Sequence, residues 1–473
     1  MKKINLIYTL IASTLLLTNC KKNEITQEKL PNNNLEKQAS SMDNKLDLLG
    51  YGYDATGRYA NIESSRLQVI DAEKFYNLDR SHVGIIAGVE DFFEYKFANN
   101  AREYSDSLSV KATGGFSAFG LFKAEINTSF GNSEAFKGSY SLANATKYIV
   151  QKRLNFSTSI QNLRDNYLSA SFVNDLNRLS AQEIVSYYGT HVCTNIVLGA
   201  KFSFSYRTET SSSKKRESLA AGLAVNGLAK VWSATADFTY NASDAKANYN
   251  QQVNYRSVGG DGTQGLIGEI SLDYSTPTKI SINQWQSTCK PQNAILIDFG
   301  NGGLVPLYEF VSNPTKKAQI KTYIEQYLAA NRTEISLNKI PIYRYYSANM
   351  VDHIYDPQPN VISYDNTWVK EKIAFYGYNY PAPNTVAVYK YFIPSMNDHV
   401  YYTDPYIQYR DSNVKNEGII FYVPTQNLPG TKPVYKYYSD SMKDHIFELD
   451  PNINQVDKTW IREDIVFNAF PAP

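Results

Sequence analysis

Three aspartate–histidine pairs stand at a constant step of 46 residues: Asp352-His353, Asp398-His399 and Asp444-His445. Each follows, by nine residues, a tyrosine that opens an aromatic run, at Tyr343, Tyr389 and Tyr435. Three of the five histidines in the chain occupy these equivalent places. A carboxylate next to an imidazole offers donors and acceptors to a sugar hydroxyl or a lipid head group, and tyrosine faces beside it supply platforms. These nine residues are the candidate ligand-binding set. The same pairs can instead hold a turn from within, each histidine a hydrogen-bonded corner residue, and a metal shared on a pseudo-axis is a third arrangement. Hydrolysis has no support, because no G-x-S-x-G nucleophile elbow accompanies the pairs. No catalytic residue, metal site or cofactor is assigned.

The elements that must position these pairs repeat with them. Pro341-Ile342-Tyr343-Arg344-Tyr345-Tyr346 recurs as Ala387 to Phe392 and as Pro433 to Tyr438, and a third apolar run closes each unit at Ile373, Ile419 and Ile465. Fixed-period self-similarity means one supersecondary unit used three times. Short aromatic alternating runs between Pro, Asn, Asp and Gly predict strands in a three-fold β-architecture over residues 338–473. A β-trefoil fits the unit length, with a β-prism as the alternative.

Lys2 and Lys3 precede a short apolar stretch ending Leu15-Leu16-Leu17, followed by Cys20. That stretch is too short for a stable transmembrane helix and reads as an export signal over residues 1–19. Leu17-Thr18-Asn19-Cys20 resembles a bacterial lipobox, which makes Cys20 the expected lipidation site and places the product on the outer membrane, at the cell surface or released from it. Residues 20–45 read as a flexible polar tether. Cys193 and Cys289 are two further thiols whose pairing the spacing leaves open.

Between residues 46 and 332 two stretches alternate apolar and polar side chains. The first carries Phe116, Phe122, Ile126 and Phe130 at even positions, and the second carries Trp232, Ala234, Ala236, Phe238 and Tyr240 against Ser233, Thr235, Asp237 and Thr239. Alternation over about ten residues marks a strand with one face to lipid and one to water. The first stretch also satisfies a helical period, and Leu219, Ala220, Ala221 and Leu223 give the second helical propensity. Segments that satisfy both periods can pack as helices first and insert as β-hairpins later, near 113–145 and 214–255.

Ser180-Ala181-Gln182-Glu183 is a capping box opening a short helix that Gly189 stops. The following Tyr188-Gly189-Thr190-His191 resembles the signature of the membrane attack complex/perforin (MACPF) family. Leu49 to Asp54, Ser257-Val258-Gly259-Gly260-Asp261, Trp285, Leu304 to Tyr308 and a closing helix through Ile320, Tyr323, Ile324 and Tyr327 resemble other marks of that family, in order. The resemblance implies an α+β fold: a bent, twisted antiparallel sheet flanked by helical clusters, followed here by the all-β repeats. It also implies a structural role for the Tyr188–His191 corner, a hinge at Gly259-Gly260, and two inserting hairpins per subunit.

Lys+Arg 47 against Asp+Glu 46 gives a net charge of +1, which removes the electrostatic case for nucleic acid. The expectation is a non-enzymatic, exported, lipid-anchored pore former, monomeric in solution and a homo-oligomeric ring on membranes. Its C-terminal domain would bind a glycan, lipid head group or receptor. The alternative is a non-lytic surface adhesin that uses the MACPF unit as a scaffold.

Overall fold

A sixteen-residue strand, Ser141–Phe156, runs through the middle of the protein and is buried along most of its length. The computed structural model describes residues 46–115, 119–131, 133–230, 240–270, 272, 280–425 and 427–472, all within one compact unit, Asp43–Pro473. Cys20, Phe116, Trp232, Ala234, Ala236 and Phe238 lie outside the described residues. In chain order the first ten strands are β1 (Tyr51–Tyr53), β2 (Ser65–Gln68), β3 (Val83–Ala98), β4 (Ser141–Phe156), β5 (His191–Cys193), β6 (Asn195–Thr210), β7 (Asn248–Val258), β8 (Ile267–Ile270), β9 (Ile295–Phe299) and β10 (Leu304–Pro306). The large antiparallel sheet has the order β3-β4-β6-β7-β8, and a smaller one the order β10-β5-β1-β2.

The large sheet bends where β6 changes partner. Lys201 to Thr210 pair with β7, whereas Ile196 to Gly199 pair with β9. Gly199 sits at the change, and a Cβ there would lie 2.1 Å from the Ile149 carbonyl oxygen. Only glycine fits so close a backbone approach.

Helices cover the sheet, Ala101–Thr113 among them without a counterpart in the sequence expectations. Asn100 caps α1 (Ala101–Thr113) by accepting the Glu103 amide, and left-handed Gly114 ends it. Next comes α2 (Lys123–Phe130), whose Ile126 and Phe130 are buried, with Phe122 buried at its entry. Ser180 and Glu183 cap α3 (Ala181–Tyr188) reciprocally, as the sequence anticipates. α4 (Lys215–Gly222) continues through a π-turn at Leu223–Gly227, burying Leu219, Leu223 and Leu228. Asn313 caps α5 (Pro314–Ala330), which buries Ile320 and Ile324.

Nine strands follow: β11 (Ile340–Ser347), β12 (Asp352–Asp356), β13 (Val369–Gly377), β14 (Thr385–Ile393), β15 (Asp398–Tyr402), β16 (Lys415–Pro424), β17 (Lys432–Ser439), β18 (Asp444–Glu448) and β19 (Ile461–Ala469). Each repeat is its own three-stranded antiparallel sheet, in the orders β12-β11-β13, β15-β14-β16 and β18-β17-β19. The first strand of each sheet pairs with the third through two register shifts at equivalent positions. Among the described residues no ladder joins one of these sheets to another, only isolated bridges such as Tyr376 with Phe470. A trefoil barrel, which shares strands between repeats, is therefore replaced by three separate sheets, the kind of arrangement the β-prism alternative describes. The sheets close instead around a shared aromatic core of Tyr355, Phe375, Tyr401, Phe421, Phe447 and Phe467. Within it the Tyr401 hydroxyl accepts the Tyr355 amide and the Tyr355 hydroxyl accepts the Phe447 amide, each at 2.8 Å. Phenylalanine at 447 leaves the third such bond unmade.

Candidate functional site

The corner at the end of α3 is built by the backbone. Gly189 takes φ +75°, and a Cβ there would lie 2.5 Å from the Tyr53 carbonyl carbon and oxygen. With that approach secured, the Thr190 amide donates to Tyr53 O at 2.9 Å, and the Thr190 hydroxyl donates to the same oxygen at 3.2 Å. The hydroxyl also accepts the Ala55 amide at 3.0 Å. The Tyr188 hydroxyl donates to Asp175 at 2.8 Å. The Thr190 bonds tie the end of α3 to β1 across more than a hundred residues. His191 Nδ1 lies 2.9 Å from the Thr190 hydroxyl, and burial pushes its pKa down to about 4. A neutral imidazole against an oxygen that is already bonded twice positions the corner and offers nothing to a substrate.

At the other end of the bend, Gly259 and Gly260 take φ +76° and +73°. A Cβ on Gly259 would lie 2.5 Å from Gly199 O, and the Trp285 indole donates to Gly259 O at 2.8 Å. The glycine pair thus closes β7 directly against the point where β6 changes partner.

Of the first alternating stretch, residues 123–130 are helical (α2); the second lies outside the described residues except for Tyr240, and α4 precedes it. α2 and α4 lie over β6 and β7, and β7 holds them through polar side chains. Asn254 donates to Ser129 O at 3.0 Å, Asn248 to Ser218 O at 2.6 Å, and Asn226 to Gln251 at 2.7 Å. Beneath α2 lies a cavity of about 470 Å³ lined by Arg58, Glu125, Lys201, Asn254 and Arg256 among others. Lys201 donates to Ile297 O at 2.9 Å, and burial brings its amine down to about 8. An interface wetted by charge is held by separable polar contacts, which are individually weak. Tyr240 is half-buried, and Phe136 to Tyr140 form a 3-10 turn and loop before β4 rather than continuing a strand.

The C-terminal repeats grip the ends of these same segments. Asn379, nearly fully buried between the first two repeats, donates to Ser139 O at 3.2 Å and to the Tyr249 hydroxyl at 3.4 Å. Its own carbonyl accepts the Lys215 ammonium. Gln358 donates to Lys246 O at 3.1 Å. The end of the first segment and both ends of the second thus meet one surface.

The three Asp-His pairs are not three pockets. Each aspartate is fully buried and bonds to the histidine of another repeat: His353 with Asp444 at 2.6 Å, His399 with Asp352 at 2.5 Å, and His445 with Asp398 at 2.5 Å. The same carboxylates accept the backbone amides of those histidines, each at 3.1 Å. Each imidazole Nε2 faces a glutamate of its own repeat, Glu371, Glu417 or Glu463, at 3.4–3.5 Å. Carboxylate oxygens of Asp352, Asp398 and Asp444 converge within 4.8 Å of one another on the pseudo-axis. This is a ring that locks three sheets together, the turn-holding reading extended from within one repeat to between repeats. As ligand contacts the six residues are corrected: all are buried in the ring. Tyr343, Tyr389 and Tyr435 are half-buried, with Lys370 over the ring of Tyr343 at 5.0 Å and Arg462 over that of Tyr435 at 5.5 Å.

Asn379 and Lys215 escaped the reading of the sequence. Asn379 lies where the repeat pattern breaks, since Thr425 and Pro471 stand 46 and 92 residues further on. Lys215 sits in the basic run Lys214-Lys215-Arg216. Cys193 and Cys289 are buried free thiols.

The MAC/Perforin domain family matches residues 42–335, and a domain of unknown function (DUF5648) matches residues 306–408 and 341–470. No curated protein matches the chain. Among solved structures, a protein named for cell invasion, with a MAC/Perforin domain, from Bacteroides thetaiotaomicron is 16% identical over 67% of this chain and 70% of its own, with a TM-score of 0.49. GNIP1Aa from Chromobacterium piscinae is 12% identical over 89% of this chain and 81% of its own, also at 0.49. Listeriolysin O is 10% identical over 50% of this chain and 44% of its own, at 0.25. With the family match spanning well over half of its length, and with a bent antiparallel sheet, the glycine corner and two helical segments laid over the sheet, this chain belongs to the MAC/Perforin family.

Proposed function

We propose that this protein is an exported, lipid-anchored pore former that oligomerises into a ring on a target membrane and inserts two β-hairpins per subunit. One observation carries the reading. Residues 123–130 of the first alternating stretch stand as helix α2, and α4 stands as a helix ahead of the second, both held on the sheet by the polar side chains of β7. Polar clasps of that kind release together when a competing arrangement offers the same backbone more hydrogen bonds, as a closed barrel in lipid does. Gly259-Gly260 is the proposed hinge, and Cys20 the proposed anchor. The C-terminal repeats are proposed to bind a glycan, lipid head group or receptor through the half-exposed faces of Tyr343, Tyr389 and Tyr435. No catalytic role is proposed for any residue.

A non-lytic surface adhesin is the second reading, and the grip of Asn379 on both segments favours it: a sheet strapped at those points makes a stable scaffold. Dye release from liposomes of outer-membrane lipids, with electron microscopy of the same sample, separates the two. Rings with release support the pore former, and bound protein without either supports the adhesin.

A further inference from the structure

A cavity of about 750 Å³ lies between the first turn of α4 and the C-terminal repeats. One wall is basic, Lys214, Lys215 and Arg216. The facing wall is largely apolar, with Pro383, Ile420 and Tyr422 among its residues. Among the described residues no carboxylate comes within ion-pair distance of Lys214 or Lys215. Two carboxylates also line the cavity: Glu103, already committed to the amide and side chain of Asn99 at 2.9 Å each, and the exposed Glu217. The part-buried Lys215 ammonium has a neutral carbonyl, that of Asn379, as its hydrogen-bond partner. Burial brings its pKa down to about 8 against the opposing field of the Glu209 carboxylate, so near neutrality the cavity wall carries a positive charge whose bonded partner is neutral. Such a charge is costly, and an oxyanion placed there by a ligand would relieve it.

We propose that this interdomain cavity binds a phosphate-bearing group, with the phosphate on Lys214 and Lys215 and any attached apolar part against Pro383, Ile420 and Tyr422. The consequence follows from Asn379. A phosphate oxygen on Lys215 displaces the Asn379 carbonyl, and Asn379 also holds Ser139 and Tyr249. Occupancy thus loosens a residue that touches the end of the first segment and both ends of the second. This deepens the pore-forming reading and rests on it for its purpose, though not for its chemistry.

The test uses the full chain in solution, with no membrane present. Isothermal titration calorimetry is run with inorganic phosphate and with dihexanoylphosphatidylglycerol below its micellar concentration. Binding of either supports the cavity, and the tighter of the two identifies the source as free phosphate or lipid head group. Lys215→Met keeps the stem and removes the charge, and it should weaken binding by about tenfold or more, the worth of a charge-assisted hydrogen bond. Pro383→Glu, on the exposed rim, supplies a tethered carboxylate and should compete to the same extent while leaving Lys215 in place. Thermal unfolding checks both variants, and Pro383→Glu keeps the test decisive if Lys215→Met fails to fold. Saturating ligand should also speed hydrogen exchange in residues 215–222. No binding by either probe, or wild-type binding by a folded Pro383→Glu variant, overturns the proposal. Binding without dye release would refute the pore and leave the cavity standing, and dye release without binding would do the reverse.

Discussion

His353 and Asp444 stand 91 residues apart in sequence and 2.6 Å apart in space, with the carboxylate also accepting the histidine's backbone amide. The same double bond recurs twice around the axis, so each repeat is fastened to both of the others. Removing one partner leaves the other buried and uncompensated, which costs about 3–5 kcal/mol. Asp444→Ala should therefore lower the denaturant midpoint of the C-terminal repeats sharply, and the triple variant at Asp352, Asp398 and Asp444 should not fold there. A triple variant that stays folded and loses only glycan binding would restore the ligand-contact reading.

The ring also sets a pH dependence. Burial pulls the pKa values of His353 and His399 down, but their bonds to Asp444 and Asp352, reinforced by Glu371 and Glu417, outweigh it and leave both raised. A raised histidine contributes stability that is full below its unfolded value, about 6.5, and lost as pH climbs through the folded value. Asp356, pushed up to about 6 by burial, works in the same direction. Glu417, held at about 2 beside His399 and Lys390, works the other way and only at far lower pH. Amide protection in residues 340–469, corrected for intrinsic exchange, should fall from pH 6 to pH 7.5. His191, depressed to about 4 by burial, predicts the opposite sign at the α3 corner, where protection falls as pH drops from about 6.5 toward 4. Equal pH responses in the two regions would contradict both assignments.

At Gly189 the backbone, φ +75° with ψ −164°, lies in a region essentially reserved for glycine, which costs a substituted residue about 1–3 kcal/mol. The 2.5 Å approach to the Tyr53 backbone adds a clash that no rotamer relieves. Gly189→Ala should destabilise strongly by chemical denaturation. Gly262→Ala is the control, because nothing lies within 4 Å of its Cβ position and its backbone is not left-handed, so the substitution should be nearly neutral.

What the sequence discloses here follows from range. The capping box at Ser180–Glu183, the helix through Ile320 and Ile324, and the three strands of each repeat are local patterns, and each forms where its pattern stands. The tie between Thr190 and Tyr53 spans 137 residues, and a threonine beside a glycine carries no mark of so distant an acceptor. The Asp-His spacing disclosed three-fold symmetry but not that each pair bonds across repeats. Within one repeat the two residues are adjacent, and adjacent residues on a strand point to opposite faces. The same limit explains the trefoil expectation: a repeat length fixes the unit, while the pairing of edge strands depends on contacts between units.

Asn248 and Asn254 clasp α4 and α2 without belonging to either alternating stretch. Replacing one by alanine removes a hydrogen bond worth about 1 kcal/mol. Under the proposed function, Asn254→Ala should speed hydrogen exchange in residues 123–130 and lower the protein concentration that gives half-maximal dye release. Faster exchange with unchanged release would separate helix detachment from the step that limits permeabilisation.

The alternation itself makes the sharpest test of insertion. Trp232, Ala234, Ala236, Phe238 and Tyr240 would face lipid, while Ser233, Thr235, Asp237 and Thr239 would face a water-filled lumen. A lysine on the lipid face costs about 2–4 kcal/mol at the bilayer midplane, whereas one on the lumen face costs little. Ala236→Lys should therefore block dye release, and its neighbour Thr235→Lys should preserve release while shifting the pore toward anions in planar-bilayer recordings. Because the two substitutions add the same charge one residue apart, a general electrostatic effect on membrane binding would move both alike. A polarity-sensitive dye placed in turn on residues 232–240 gives the direct readout: blue-shifted and unshifted emission should alternate with period two in membranes. Uniform emission along the stretch would mean that the segment does not enter lipid as a strand.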